Sequence, residues 1–279
     1  MPSSHEQLVG LIGQLPSGMI AFSGGVDSAV VAKAAFLALG DRAVAVTGVS
    51  ASLASGEVET ARRIAQSIGI RHETIETGEL SNSSYLENQP NRCWHCKTEL
   101  YDLLRVLADR WGFDVLLNGA NADDQGDFRP GIRAADEHLV RSPLAECGFA
   151  KQEVRELARH WDLEVWDKPA TPCLSSRVVY GLSITPERLS RIDEAEQLLR
   201  KLGLSSIRVR YHQDDLARLE VTLDDLPRLC EESVRIQIVE HLRKLGFHYV
   251  TIDLEGFRSG SFQQLVAPEE LIQYGKPKV

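Results

Sequence analysis

Residues 23–28, Ser23-Gly24-Gly25-Val26-Asp27-Ser28, follow a short apolar run at residues 19–22 and precede an Ala- and Val-rich helical pattern. Two glycines let the backbone turn sharply and approach a ligand, and the free amides at the start of a helix attract anions. Ser23 and Ser28 add hydroxyl donors, and Asp27 can hold the turn or help to position Mg²⁺. The stretch therefore predicts a phosphate-binding turn. A glycine-rich turn that binds nothing is the alternative.

Short apolar runs alternate with helical patterns along the first two thirds of the chain. Strand patterns occupy residues 19–22, 43–49, 72–75 and 115–117, and helical periodicity covers residues 27–39, 56–68, 97–111 and 151–161. This alternation predicts a parallel sheet with right-handed crossovers. Ligands bind at the carboxyl ends of such strands, which is where residues 23–28 lie.

The pattern changes after about Gly181. Thr185 and Pro186 predict the start of an amphipathic helix that Gly203 ends, and strand patterns follow at residues 206–212, 217–221 and 249–254 around a helical pattern at 224–245. We therefore predict an α/β protein. A parallel-sheet domain at residues 1–180 precedes a smaller α+β domain at 181–260 and a C-terminal tail at 261–279, which we expect to be an extended surface arm.

The composition is that of an ordinary globular protein. The 279 residues carry 31 Lys and Arg against 40 Asp and Glu, and this net charge of -9 argues against electrostatically driven nucleic-acid binding. No stretch reaches the roughly 18 apolar residues of a membrane span, and no basic segment precedes an apolar block at the start. We therefore expect a cytoplasmic protein. Its five cysteines do not resemble a disulfide framework.

A second polar loop, NGANADDQ at residues 118–125, follows the last strand pattern of the sheet and should face the same crevice as residues 23–28. Paired aspartates at such a position can coordinate Mg²⁺, and an arginine can contact phosphate. The alternative is an Asx turn followed by a solvated acidic loop. The candidate nucleotide-binding residues here are Asn118, Gly119, Asp123, Asp124 and Arg129.

Three cysteines are candidate metal ligands: Cys93, Cys96 and Cys173. The first two form a CxxC with basic neighbours, and a helix start at about Cys96 should lower the thiol pKa values further. Cys173 lies in a proline-bounded loop that should return to the same crevice. Three thiolates can hold three irons of a cubane and leave the fourth iron open. A zinc site that includes His95 and a disulfide between the first two cysteines are the alternatives.

Arg208 and Arg210 lie two residues apart in a strand pattern, so both side chains emerge on one face of the sheet. Two guanidinium groups on one face can bind a phosphate. Pairing with Glu220 on a solvated face is the alternative, and composition alone does not decide between them.

The turn SGGVDS resembles the pyrophosphate loop of the PP-loop ATPases, which cleave ATP between its α and β phosphates. Together with RCWHCK (92–97), NGANADDQGDFRPG (118–131), PCLSSR (172–177) and IRVRYH (207–212), it resembles the LarE family over essentially the whole chain. That family consists of ATP-dependent sulfurtransferases that help to make the nickel-pincer nucleotide cofactor of lactate racemase. Some members sacrifice the sulfur of one cysteine, and others carry two more cysteines and a 4Fe-4S cluster; this chain matches the second kind.

The resemblance implies a reaction in two stages. A carboxylate of a pyridinium-dicarboxylate mononucleotide is adenylated by ATP with Mg²⁺, and sulfur then displaces AMP. The sulfur comes from a sulfide on the open iron or, less favoured, from Cys173 itself as the catalytic residue. Arg208 and Arg210 would bind the 5′-phosphate of the mononucleotide, with Arg177 and Trp94 near its ring.

The implied partners are this mononucleotide, a sulfide or cysteine-derived sulfur donor and further copies of the chain, with no membrane and no nucleic acid. Three other functions stay open. A PP-loop tRNA thiolase can also pair SGGxDS with three cluster cysteines. An ATP-dependent ammonia ligase would not need these cysteines, and a nucleotide-binding regulatory module would not turn over.

Overall fold

The computed structural model describes residues 3–126, 130–169, 171–204 and 206–258, together with Ser261, Phe262, Gln264 and Val266. The strands are β1 (Gly18–Ala21), β2 (Ala43–Val49), β3 (Arg71–Glu76), β4 (Val115–Leu117), β5 (Arg208–His212), β6 (Leu216–Glu220) and β7 (Tyr249–Ile252). The helices are α1 (Ser4–Gly13), α2 (Val26–Leu39), α3 (Glu57–Ile68), α4 (Ser83–Leu86), α5 (Arg92–Trp111), α6 (Pro130–Glu137), α7 (Pro143–Glu146), α8 (Lys151–His160), α9 (Pro186–Lys201), α10 (Leu226–Cys230) and α11 (Glu232–Lys244). Within the described ranges, no helix has the length and apolar character to cross a bilayer.

The first sheet has four parallel strands in the order β3-β2-β1-β4, so the α/β prediction is confirmed. Successive residues of a strand point to opposite faces, and here both faces are buried. Ile20 and Ala45 pack with α1, α2, α3 and α8 on one face, while Met19 and Val44 pack with α5 and α6 on the other. Strand β1 lies between β2 and β4, so the turn that follows it lies near the middle of the carboxyl edge of the sheet.

The second sheet is smaller and mixed. Strand β5 pairs with β6 in antiparallel fashion, and β6 pairs with β7 in parallel. Helices α9 and α11 cover this sheet with an apolar core that includes Ile192, Val209 and Leu242. The same core also takes in Tyr85 and Leu174 from earlier in the chain. The second sheet is therefore packed against the segments that carry the cysteines.

Three expectations about local structure are wrong. Helix α5 begins at Arg92, one turn before the expected start at about Cys96. The helix expected at residues 224–245 is broken at Glu231, whose backbone is extended (φ -56°, ψ 132°) between α10 and α11. The end of the chain was expected to be an extended surface arm, but Phe262 and Val266 are buried. The remainder of that expectation, including residues 267–279, lies outside the described residues.

Candidate active site

The turn at residues 23–28 is closed by its own hydroxyl groups. The Gly25 amide donates to Ser23 Oγ at 3.3 Å, and Ser28 Oγ donates to the Gly25 carbonyl at 3.1 Å. The Ser23 and Ser28 hydroxyls lie 3.1 Å apart. Gly25 is the N-cap of α2, whose first amides have no partner within the helix. The turn therefore presents backbone donors at the carboxyl edge of the sheet.

The two glycines of this turn have different structural roles. Gly24 has φ 67°, and a Cβ there would lie 2.9 Å from the Ala61 Cα of α3. Gly25 has φ -84°, and a Cβ there would meet only Ser23 Oγ, at 3.4 Å. The fold requires Gly24, whereas Gly25 leaves open the space above the turn.

The loop that follows β4 contacts this turn directly. A Cβ on Gly119 would lie 2.7 Å from the Ser28 amide nitrogen, so only glycine permits the approach. Asn121 Nδ2 also donates to Asp27 Oδ1 at 3.1 Å. Asn118 holds the loop in shape, because its Oδ1 accepts hydrogen bonds from the Ala120 amide and the Ser142 hydroxyl. The turn at residues 23–28 and the loop at residues 118–125 therefore face one crevice.

The aspartates of this crevice all have protein partners. Asp27 forms an ion pair with Lys151. Asp123 Oδ2 accepts a hydrogen bond from the Lys151 amide at 2.8 Å, and Asp124 Oδ2 accepts one from the Asn121 amide at 3.0 Å. Lys151 is not among the residues that the sequence predicts for this site. Its place at the start of α8, where a helix dipole disfavours a positive charge, is the signal that could have identified it. Arg129 lies outside the described residues.

A pocket extends from the phosphate turn along the ends of β1 and β2 to α5. Its cavity volume is about 140 Å³, smaller than the range of about 300–1,000 Å³ typical of small-molecule sites. Ser23 lies at one end, and Cys96 and Lys97 lie at the other. The remaining lining residues are Ala21, Phe22, Val46, Thr47, Gly48, Ser50, Ser52, Leu53, Thr77, Glu79 and Leu100.

Glu79, which the sequence analysis also missed, forms part of the polar wall of this pocket. Its side chain is 2% exposed, and its Oε1 accepts hydrogen bonds from the Ser50 and Ser52 hydroxyls. Its Oε2 has no hydrogen-bond partner within the described residues. An acidic residue soon after β3, at the carboxyl edge of the sheet, is the sequence signal for it.

Of the three cysteines, Cys96 lines the far end of the pocket, and Cys93 and Cys173 lie near enough to it to affect the pKa of its thiol. Cys93 is exposed at the start of α5, Cys96 lies one turn further along, and Cys173 precedes the short turn Leu174–Arg177. Burial raises the pKa of the Cys96 thiol to about 12, and the thiolates of Cys173 and Cys93 also raise it, although Lys97 lowers it. The expected lowering of the thiol pKa is therefore wrong for Cys96. No three His, Cys, Asp or Glu side chains in the described ranges are arranged to hold a metal ion.

His95 does not share the pocket of Cys96. It lines a separate pocket with Thr98, Glu99 and Asp102, and its Nε2 lies 3.3 Å from Asn91 Nδ2. Burial lowers the pKa of this imidazole. The arrangement disfavours the zinc alternative, in which His95 would complete the set of cysteine ligands.

Two of the predicted substrate-binding arginines are occupied by buried carboxylates. Arg177 is 2% exposed, and its Nε lies 3.0 Å from Glu196 Oε1. It also donates to the Cys173 carbonyl at 3.2 Å, so it holds the cysteine loop. Arg210 Nη2 lies 2.9 Å from Glu220 Oε2, as the alternative anticipated, but this pair is buried and not on a solvated face.

Arg208 differs from both of these arginines. It is 6% exposed, and within the described residues it has no hydrogen bond or ion pair. Its guanidinium lies 4.6 Å from the centre of the Phe257 ring. Burial lowers its pKa to about 10, and the charges of Arg210 and Arg177 add to the effect. Glu220 and Glu196 act in the opposite direction but do not cancel this effect. An anion beside the guanidinium would therefore stabilise it further.

Trp94, the fourth predicted substrate-binding residue, lies apart from this cluster. Its Nε1 donates to Glu137 Oε2 at 2.8 Å, and its side chain lines a small pocket with Asn91, Pro130 and Arg133. The three arginines therefore lie around the second sheet, whereas Trp94 lies beside α6 and packs against the core of the first sheet.

Comparisons with known proteins give the class of this site. The sequence profile of the NAD synthase family matches residues 15–100. An uncharacterized protein of Synechocystis sp. is 46% identical over 95% of this chain and 99% of its own length. The pyridinium-3,5-bisthiocarboxylic acid mononucleotide synthase of Lactiplantibacillus plantarum is 34% identical over 98% of this chain and 99% of its own. The tRNA-specific 2-thiouridylase MnmA of a Wolbachia species is 27% identical over 54% of this chain and 51% of its own.

The parallel sheet, the glycine-rich turn after its central strand and the matched profile define a PP-loop, ATP-using enzyme. Among such enzymes, full-length similarity separates this chain from the tRNA thiolases, whose match is partial. The chain belongs to the LarE family of sulfurtransferases, as the resemblance predicted.

Proposed function

We propose that this enzyme adenylates a carboxylate of pyridinium-3,5-dicarboxylate mononucleotide and converts it to a thiocarboxylate, as a step towards the nickel-pincer nucleotide cofactor of lactate racemase. The L. plantarum relative is named for a bisthiocarboxylic acid product of this kind. The observation that carries the proposal is the single pocket lined by Ser23 of the phosphate turn and by Cys96. Activation and sulfur transfer can share it without release of the adenylate.

In the first stage, the triphosphate of ATP lies over residues 23–28, where Gly25 leaves room for it. A substrate carboxylate oxygen attacks the α-phosphorus, the bond to the bridging oxygen of the β-phosphate breaks, and pyrophosphate leaves with the negative charge. The turn amides and the positive end of α2 stabilise that charge. Mg²⁺ bound to ATP screens the phosphates, with Asp27, Asp123 and Asp124 as the carboxylates at hand.

In the second stage, a sulfur nucleophile attacks the acyl carbon and AMP leaves. Cys93, Cys96 and Cys173 would hold a 4Fe-4S cluster, since all three are soft ligands, Cys96 lines the pocket and the other two lie near enough to influence its thiol. When bound, such a cluster would supply sulfide-level sulfur to the acyl carbon. Arg177 keeps the Cys173 loop in place through the Pro172 and Cys173 carbonyls.

Arg208 is the residue that we assign to the 5′-phosphate of the mononucleotide. A phosphate next to its guanidinium would add a direct partner to a buried positive charge that Glu220 and Glu196 offset only in part. Arg210 and Arg177 add to the positive potential from their positions in buried ion pairs. Trp94 stays a candidate for the contact with the pyridinium ring.

We also propose the division into a nucleotide domain at residues 1–180, a substrate domain at 181–260 and a terminal segment at 261–279. Two observations support it: the turn at residues 23–28 follows β1 of the first sheet, and Arg208 is the first residue of β5 in the second sheet. The shared core around Tyr85 supports a fixed relation between ATP and substrate. Homo-oligomers, a cysteine-derived sulfur donor and a cytoplasmic location belong to the same proposal.

The test is pyrophosphate release under anaerobic conditions, with iron and sulfide analysis of the enzyme. We expect release to depend on the pyridinium-dicarboxylate mononucleotide and AMP to appear in equal amount. Release triggered by tRNA would favour the thiolase alternative. No release with either substrate would contradict an adenylating function.

A further inference from the structure

The carboxylate that faces Arg208 across the second sheet pairs with other arginines. Arg208 lies directly opposite Glu220 in the register of β5 and β6, where opposite charges stabilise a sheet. However, Glu220 Oε2 lies 2.9 Å from Arg210 Nη2, and its Oε1 lies 3.3 Å from Arg218 Nη2. The Ser261 hydroxyl donates to the same Oε1 at 2.9 Å. Both oxygens of Glu220 therefore have other partners, and Arg208 forms no direct ion pair within the described residues.

The group that contacts the guanidinium of Arg208 is an aromatic ring. The guanidinium carbon lies over the ring of Phe257, 4.6 Å from its centre. An aromatic ring attracts a cation through its π electrons, but it does not use up the N–H donors of a guanidinium as a carboxylate does. The contact therefore holds the guanidinium in position and leaves its donors for another acceptor.

The N–H donors of Arg208 reach the protein surface. Nε of Arg210 is fully buried and has no hydrogen bond, whereas no guanidinium nitrogen of Arg208 within the described residues is both fully buried and unbonded. Because Arg208 forms no hydrogen bond there, the 6% of its surface that is exposed includes its N–H groups. A phosphate group can therefore contact them.

The backbone fixes Phe257 in this position. Its amide donates to the Val221 carbonyl, directly after β6, at 2.7 Å. Gly256 has φ 72°, and a Cβ there would lie 3.0 Å from that same carbonyl oxygen. The Gly256 amide also donates to the Asp253 carbonyl at 3.1 Å and closes the turn after β7. This turn favours glycine, and it brings the chain back to β6 with the Phe257 ring against Arg208.

We propose that Phe257 is a positioning residue of the mononucleotide site, whose ring holds the Arg208 guanidinium, free of any carboxylate, in the orientation that receives the 5′-phosphate. This inference rests on the role of Arg208 under the proposed function. Phe262 offers a matched comparison, because its ring centre lies 4.7 Å from the guanidinium carbon of Arg210, which has a carboxylate partner. The first ring orients an arginine that binds a ligand, and the second packs on an ion pair that belongs to the fold.

The experiment compares wild type with Phe257→Met, Phe257→Tyr, Phe262→Met and Arg208→Ala. Calorimetry measures binding of the pyridinium mononucleotide, of ribose 5-phosphate as a probe that lacks the pyridinium ring, and of ATP. Phe257→Met should weaken binding of the first two ligands by about 5- to 10-fold, because methionine fills the space without offering a ring. Its ATP binding should be unchanged. Phe257→Tyr, which keeps the ring, and Phe262→Met should bind all three ligands like wild type.

Pyrophosphate release separates a positioning role from a general loss of structure. Phe257→Met should raise the KM for the mononucleotide and leave kcat unchanged, because the phosphate contact is made equally in the ground state and the transition state. Binding of ATP in the same preparation reports the folded fraction, so partial unfolding cannot imitate this result.

The remaining outcomes would overturn the proposal in different ways. Normal binding of ribose 5-phosphate by Phe257→Met would remove Phe257 from the site. Equal weakening in Phe262→Met or in Phe257→Tyr would assign the effect to packing instead of the ring contact. If Arg208→Ala binds the mononucleotide like wild type, the phosphate lies elsewhere, and the proposed role of Arg208 fails together with that of Phe257. Weak binding by Arg208→Ala with normal binding by Phe257→Met would refute the role of Phe257 alone.

Discussion

The turn at residues 23–28 and the second sheet differ in whether their charged side chains have ion-pair partners. In the turn, Asp27 is paired with Lys151, and the serine hydroxyls bond to each other and to the backbone. In the second sheet, Arg208 is buried beside Arg210 and lacks a carboxylate within the described residues. The turn can therefore bind phosphate through backbone amides without any unpaired charge. The second sheet instead keeps a buried arginine without a direct ion pair, whose charge Glu220 and Glu196 offset only in part and an anionic ligand would stabilise further.

The largest expected effect tests the turn. Gly25→Val should lower pyrophosphate release by about 100-fold or more, because the side chain would occupy the space of the phosphates above a backbone that tolerates it. The measurement is steady-state pyrophosphate release, with a thermal melt to show that the fold persists. Normal release would remove residues 23–28 from the ATP site.

Gly24→Ala is the matched control for this change. It should lower the free energy of unfolding by about 2 kcal/mol, because the new Cβ would meet Ala61 at a positive φ. An equal loss of stability in the two variants would contradict the assignment of Gly24 to the fold and of Gly25 to phosphate binding.

The next effect concerns the stability of the second sheet. Arg210→Met should lower the free energy of unfolding by about 2–3 kcal/mol, because it leaves buried Glu220 with the partly exposed Arg218 as its remaining ion-pair partner and the Ser261 hydroxyl as a neutral donor. Arg208→Met should be neutral or stabilising, since it removes a buried charge that has no partner. Urea titrations of the two variants measure the difference. Equal destabilisation would mean that Arg208 has a partner in the folded protein.

A smaller effect on binding separates the two sites. Arg208→Ala should weaken binding of the pyridinium mononucleotide by about 10- to 100-fold, the value of a charge-assisted contact of about 1.5–3 kcal/mol. Binding of ATP should be unchanged, because Arg208 does not line the pocket next to the phosphate turn. Calorimetry with each ligand measures both. Weaker ATP binding with intact mononucleotide binding would reverse the assignment.

The position of the turn at residues 23–28 could be predicted from the sequence, whereas the partners of Arg177, Arg208 and Arg210 could not. Each strand of the first sheet is a local apolar run, and all carboxyl ends of a parallel sheet share one edge, so the two loops at residues 23–28 and 118–125 had to converge. The pairing of Arg177 with Glu196 and of Arg210 with Glu220 depends on tertiary packing of α9 and β6. The strand periodicity predicts that Arg208 and Arg210 lie on one face of the sheet. It does not show which of the two forms an ion pair with a carboxylate.

Helix ends show the same limit. The repeat of leucines predicts most of α5. The residues of its first turn, Arg92, Cys93 and Trp94, do not belong to that repeat, so the sequence does not show where the helix begins. The break at Glu231 likewise has no glycine or proline at the point of interruption. Packing against the apolar core of the second sheet, rather than local helix preference, fixes the start of α5 and the break at Glu231.

The smallest expected effect extends the comparison to the cysteine end of the pocket. In the metal-free protein, burial raises the pKa of Cys96 from 9.0 to about 12. A thiol whose pKa is higher in the folded state contributes its full stability below the unfolded pKa, and loses it as the pH rises towards the folded pKa. The stability of wild type should therefore fall between about pH 9 and about pH 12 through this residue. Cys96→Ala carries a cavity cost at every pH but lacks this dependence. Its stability deficit relative to wild type should shrink by about 1 kcal/mol between about pH 8 and about pH 10 in urea titrations. Cys230→Ala, which removes an exposed thiol, is the control and should follow wild type. A constant deficit for Cys96→Ala across this range would show that its thiol is already solvated, and that the pocket is open to water at its cysteine end.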